Sequence, residues 1–145
     1  MGYSVAVKMD GNKFVTTPKY GWAHLKLDVY DGLLSYIDDV PSLLLQLARD
    51  YRERGTAACT FDSEGHSFCV ILADYSLDIL EYKDEKPEHF HSEIGPDNFC
   101  KGVLQDMLRD IDVWAAAFYS PEYEPKKFEE YRNNRKLIEK ELEKH

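Results

Sequence analysis

An α+β fold is what this sequence predicts: a largely antiparallel sheet of about five strands, with two long helices and a C-terminal helix packed on one face. Three observations point there. In residues 97–119 (DNFCKGVLQDMLRDIDVWAAAFY) apolar side chains recur every three or four positions, the period of a helix with one buried stripe. Between residues 56 and 82 three short runs of strand character follow one another, two of them joined by the turn sequence Ser63-Glu64-Gly65-His66. Hairpins pair antiparallel, and the helical stripes at 41–54 and 97–119 are placed to cover one face of the resulting sheet.

Along the chain, Tyr3, Val5, Val7 and Met9 alternate with Ser4, Ala6 and Lys8, the period-two mark of a strand, and Asp10-Gly11-Asn12 reads as a turn. Residues 13–20 fit a loop or a second short strand. Residues 22–30 alternate again, with Ala23, Leu25, Leu27 and Val29 on one face, and Asp31-Gly32 closes that strand. Residues 33–40 suit a short helix or a loop. Pro41 opens a helix with the stripe Leu43, Leu44, Leu47, Ala48 and Tyr51, ending at Gly55. Residues 56–62 and 67–74 form the hairpin. Within it, Phe68-Cys69-Val70-Ile71-Leu72-Ala73 is apolar without alternation, the pattern of a central strand covered on both faces. Acids interrupt residues 76–82, which places that strand at an edge. After a charged connection containing Pro87, residues 88–93 offer one more short strand.

In 97–119, Asp97 reads as the N-cap behind the breakers Gly95 and Pro96. Phe99, Cys100, Val103, Leu104, Met107, Leu108, Ile111, Trp114, Ala115 and Phe118 make the buried stripe, and Lys101, Gln105, Asp106, Arg109 and Asp112 fall on the polar side. Ser120-Pro121 stops the helix. A last helix over 126–144 has a thin stripe of Phe128, Tyr131, Ile138 and Leu142 among opposite charges, so it is expected to pack by one edge and to stay peripheral.

The length of 145 residues suits one domain, 1–145, which buries enough surface to fold without disulfide or metal. No stretch of roughly 18 apolar residues is present, which excludes a membrane-spanning helix. The first residues lack the apolar core and cleavage site of a secretory signal, and Ala6 fails the myristoylation pattern. Cys59, Cys69 and Cys100 are odd in number, widely spaced and without a CxxC, as expected of reduced, buried thiols in a cytoplasmic protein. The net charge of −9 argues against nucleic-acid binding, because phosphates repel it. That charge is local: residues 74–97 carry eight acids against two lysines, whereas seven acids and seven bases balance after residue 120.

Catalytic constellations are sparse. His89, His91 and Glu93 alternate on one strand and match the spacing of metal ligands. Asp62, Glu64 and His66 surround a hairpin tip and make a candidate acid–base group. His145 is either native or a tag remnant. There is no nucleophile elbow and no glycine-rich phosphate loop. The expectation is therefore a protein that is not an enzyme, with no catalytic residue, no cofactor and no bound metal. What remains is surface. Asp74, Tyr75, Asp78, Glu81, Tyr82, Asp84 and Glu85 interleave carboxylates with tyrosines, a composition suited to a basic protein partner.

A small, acidic α+β chain with this layout resembles bacterial immunity proteins in general style; the likeness is one of size, composition and arrangement. It implies an inhibitor that blocks the cationic active site of a cognate toxin, often a nuclease, without touching nucleic acid or membrane. Two other readings compete: an adaptor or oligomeric subunit assembling through its last helix, and a small metal-dependent enzyme built on His89, His91 and Glu93.

Overall fold

The computed structural model describes residues 12–145. Among them lie six strands and five helices: β1 (Trp22–Lys26), β2 (Asp31–Ser35), α1 (Val40–Arg54), β3 (Thr56–Asp62), β4 (Ser67–Ala73), β5 (Ser76–Tyr82), β6 (Glu88–Ser92), α2 (Pro96–Arg109), α3 (Ile111–Phe118), α4 (Pro125–Asn133) and α5 (Arg135–Glu143). The fold is α+β, as the hairpin and helix patterns predict. The strand expected at residues 3–9 lies outside the described residues.

All pairing within the two sheets is antiparallel: a two-stranded ribbon β1–β2, and a four-stranded sheet in the order β3-β4-β5-β6. This corrects two expectations. Asp31-Gly32 is not a terminating turn but opens β2, with Lys26 opposite Asp31 and Trp22 opposite Ser35. Strand β5 is not an edge: residues 88–92 pair with it, and the acids that suggested exposure have found partners. Residues 13–20 are loop, joined to β1 by the bridges Val15–Leu25 and Lys19–Trp22 and by the His24 N–H donating to Thr16 Oγ1 at 2.8 Å. The β4–β5 hairpin turns through Asp74 and Tyr75, both with positive φ (42° and 67°), which matches the right-handed strand twist at the cost of an unusual conformation for tyrosine.

Helix α1 ends as read from sequence. Gly55 takes the left-handed conformation (φ 77°) and its N–H donates to the Tyr51 carbonyl at 2.7 Å, closing the last turn. Gly95, not Asp97, is the N-cap of α2, because Pro96 already stands in the first helical turn; Asp97 sits in that turn, where the helix dipole favours an acid. The helix expected over 97–119 is two helices. Asp110 leaves helical geometry (φ −118°, ψ 38°), accepts from Thr17 Oγ1 at 3.0 Å, and still receives the Trp114 N–H at 2.9 Å. The apolar period survives the bend, so Phe99, Val103, Leu104, Met107, Ile111, Trp114 and Ala115 all remain buried.

The terminal helix also breaks. Asn134 ends α4 and starts α5, its N–H turning back to the Tyr131 carbonyl at 3.1 Å. The second half is anchored rather than peripheral. Ile138 is fully buried, and Glu141, 4% exposed, accepts two bonds from Arg52 at 2.5 and 3.0 Å. A second buried acid departs from its expected place. Asp106, read onto the polar side of α2, is 1% exposed and accepts the backbone N–H groups of Lys13, Phe14 and Val15 at 2.8–3.1 Å. Burial pushes its carboxyl above the ordinary value, and those three donors pull back toward the charged form.

The core lies on one side of the four-stranded sheet. Phe61, Phe68, Val70, Leu72, Leu77 and Ile79 point inward and are fully buried against Leu44, Leu104 and Met107 of α1 and α2 and against Leu25 and Leu34 of the ribbon. Gly32 permits a close approach: a Cβ there would stand 2.6 Å from the Phe68 ring. No helix among the described residues is long and apolar enough to cross a membrane.

Candidate functional site

Alternation puts every second residue of β3–β6 on the opposite face, and among the described residues that face is open. Reading across the registers, one row is Ala58, Ile71, Asp78 and His91, and the next is Thr60, Cys69, Leu80 and His89. The apolar members Cys69, Ile71 and Leu80 are half-buried by their neighbours alone. Strand β4 thus carries the composition of a doubly covered strand, yet among the described residues only its inner face is covered. The outer face has an apolar centre and a polar margin, the anatomy of a protein-binding patch.

The seven residues singled out from sequence do not all converge on it. Asp78 and Tyr82 lie on the outer face, with Tyr82 exposed. Glu81 turns to the other side, toward the core, where it accepts the Tyr30 hydroxyl at 2.6 Å and stands 3.9 Å from His66 Nε2. Asp74 and Tyr75 form the β4–β5 turn, with Tyr75 projecting into solvent (91% exposed). Asp84 and Glu85 occupy the β5–β6 connection at the other end of the strand, separated from the first pair by roughly 20 Å of seven-residue strand. The acids therefore frame the open face at both ends rather than forming one cluster.

In the middle of the face Asp78 is a hub. Its Oδ1 accepts His89 Nε2 at 2.7 Å and His91 Nδ1 at 3.0 Å, and its Oδ2 accepts Ser76 Oγ at 2.5 Å. Partial burial opposes its charge, but these three donors outweigh that and hold the carboxyl down at about 2. The same contact raises His91, helped by the Glu93 carboxylate 3.6 Å from its other nitrogen. Both imidazoles are thus engaged by one carboxylate, and Glu93 lies just beyond the end of β6, beside His91. Among the described residues no group of three His, Cys, Asp or Glu side chains is arranged to hold a metal ion.

The other candidate chemistry disperses. Glu64 accepts Ser35 Oγ at 2.5 Å, Asp62 accepts the Glu64 N–H at 2.7 Å, and His66 faces Glu81, so the three do not form an acid–base group. The three cysteines are free thiols. Desolvation pushes Cys59 and Cys100 up to about 12, far from the thiolate a nucleophile needs.

Two concave features escaped the sequence reading. A cleft of about 550 Å³ is lined by Pro18, Tyr20, Tyr36, Val113 and Phe118, drawn from three distant segments. A larger one, about 620 Å³, lies between residues 12–17 and 26–28 beside Ile94; its one carboxylate, Asp28, is already bonded by Ser92 Oγ at 2.6 Å and the Glu93 N–H at 2.8 Å. The exposed Tyr20 and Tyr36 fall in segments that read as a loop or short strand and as a short helix or loop, and nothing in their spacing joins them to Val113. Comparison with family models, with curated protein sequences and with solved structures finds no match.

Proposed function

We propose that this chain is a non-catalytic, cytoplasmic protein-binding protein of the inhibitor type, whose open sheet face seats a basic protein partner such as a nuclease toxin and blocks that partner's active site. One observation carries the reading: β4 has apolar side chains on both faces, and among the described residues the helices cover only one of them. Cys69, Ile71 and Leu80 are the apolar seat. Asp78 between them, with Asp74, Asp84 and Glu85 at the two ends, sets a negative margin that attracts a cationic cleft and accelerates encounter. Tyr75 and Tyr82 add aromatic area at the rim, the residue type most often found at energetic centres of interfaces.

The test is capture of the partner by immobilised protein from cells that encode it, beside the charge-reversed variant D78K/D84K/E85K. The reading expects a basic protein that is retained by the native chain, released as salt rises, and lost from the variant. Equal retention by both chains would remove the acidic margin from the account. Retention unaffected by salt and by Ile71→Glu would remove the face itself.

A further inference from the structure

The two outer edges of the four-stranded sheet are finished differently. The two-residue turn at Asp74 and Tyr75 makes Ala73 and Ser76 a hydrogen-bonded pair. Bonding then alternates along β4, so that Phe68, Val70 and Leu72 bond to Phe61, Cys59 and Ala57 of β3. The intervening residues Thr56, Ala58, Thr60 and Asp62 aim their backbone N–H and C=O groups away from the sheet. At Asp62 that donor is already met, by the Asp38 carboxylate at 2.7 Å. On the opposite edge the outward residues of β6 are His89 and His91, the strand begins behind Pro87, and Asp28 accepts the Glu93 N–H at 2.8 Å. Charge, proline and capping of this kind close a sheet edge against further strands. Residues 56–60 of β3 have none of it. The run Thr-Ala-Ala-Cys-Thr is uncharged, small in side chain and free of bulges. Thr56, Ala58 and Thr60 are exposed, and their outward groups have no backbone partner among the described residues.

Such an edge accepts an added strand, and β3 of a second copy fits it. A twofold axis needs a self-complementary strand. With Ala58 opposite the partner's Ala58, Thr56 falls opposite the partner's Thr60, and every such pair exchanges both N–H···O bonds. Thr–Thr neighbours across strands are favourable. A slip by two residues in either direction costs one of the pairs formed among Thr56, Ala58 and Thr60. In the unslipped register Arg54, exposed and just ahead of β3, comes toward the partner's Asp62 and Glu64 at each end of the pairing. Opposite charges thus meet where two copies of a chain with net charge −9 would otherwise repel.

We infer that two copies of this chain pair β3 to β3 antiparallel, with Ala58 on the twofold axis, so that their four-stranded sheets become one continuous sheet. The pairing stands apart from the seat formed by Ile71 and Leu80. Sedimentation velocity of the intact chain, over a concentration series into the millimolar range, should show a monomer–dimer equilibrium. Ala58→Pro deletes one outward N–H per copy, keeps the bonds to β4 and suits an edge strand, so it folds and should weaken dimerisation about tenfold. Ala58→Lys and Ala58→Glu should each be monomeric alone, because like charges meet on the axis, and an equimolar mixture of the two should restore the dimer. Amide exchange at Ala58 and Thr60 should slow as concentration rises, while Ala57 and Cys59, already bonded to β4, change little. A chain that stays monomeric throughout overturns the inference; slow Ala58 and Thr60 exchange in that monomer assigns the edge to another segment of the same chain, and fast exchange leaves it to another protein or to none. A dimer that survives Ala58→Pro, or that mixing the two charged variants fails to restore, overturns it as well, since the copies then meet elsewhere.

Discussion

Replacing Asp106 by alanine removes the acceptor for three backbone N–H groups at once. Those of Lys13 and Phe14 are part-buried and that of Val15 is sealed. An unpaired buried donor costs about 1–3 kcal/mol. Taking Val15 in full and the two others at about half, since water reaches them, gives a loss of about 3–4 kcal/mol. Asparagine keeps one acceptor oxygen and should lose about half of that. Total stability for a domain of this size is about 5–15 kcal/mol, so the alanine variant remains folded but is visibly weakened. Urea unfolding followed by tryptophan fluorescence measures it. With a slope of about 2 kcal/mol/M, the midpoint falls by about 2 M for alanine and about 1 M for asparagine. If both variants lie within about 0.5 kcal/mol of the native chain, as at an ordinary exposed site, the pinning of residues 13–15 by α2 is wrong.

Other consequences are equally concrete. Glu141→Gln uncouples the α5 carboxylate from Arg52 and should cost about 2 kcal/mol, less than the roughly 3–5 kcal/mol of a fully buried pair because Arg52 is a quarter exposed. Because the Arg52 hydrogen bonds hold Glu141 below its ordinary value, that stabilisation is present above pH about 4.3 and is lost as pH falls through the lower folded value; the variant should show a shallower acid limb in thermal unfolding. His91 should titrate by NMR above the ordinary value of about 6.5, and Asp78→Asn should return it toward that value; an unchanged midpoint would remove Asp78 as the cause. Gly32→Ala forces a Cβ to 2.6 Å from Phe68 and 2.8 Å from Tyr30, and should cost about 1–3 kcal/mol in denaturant melts.

The repetitive part of the fold was legible because burial imposes a period. The stripe from Phe99 to Phe118 and the β3–β4–β5 meander could be read from spacing alone. The break at Asp110 could not, since the stripe keeps its phase across the bend and only the φ/ψ of one residue records it. Asp106 was misplaced because it is charged and is held inward by backbone donors 91–93 residues away, whereas Glu81 shares the inner face with Leu77 and Ile79 by strand alternation and only its partner Tyr30, 51 residues away, was hidden. Local pattern carries no trace of such partners. The candidate site was partly legible: Asp78 and Tyr82 do lie on the open face, while the apolar centre was visible only as an unbroken hydrophobic run read as a doubly covered strand. The Tyr20–Tyr36–Val113 cleft joins segments that only the tertiary fold brings together.

The most direct test of the binding face is methyl NMR of the isotope-labelled chain titrated with its captured basic partner. The account predicts that the methyl groups of Ile71 and Leu80 shift or broaden first, together with the ring protons of Tyr82, His89 and His91, while Leu44, Leu104 and Val113 stay in place. Perturbation centred on Val113 and the rings of Tyr20 and Tyr36, with Ile71 and Leu80 unmoved, would contradict it.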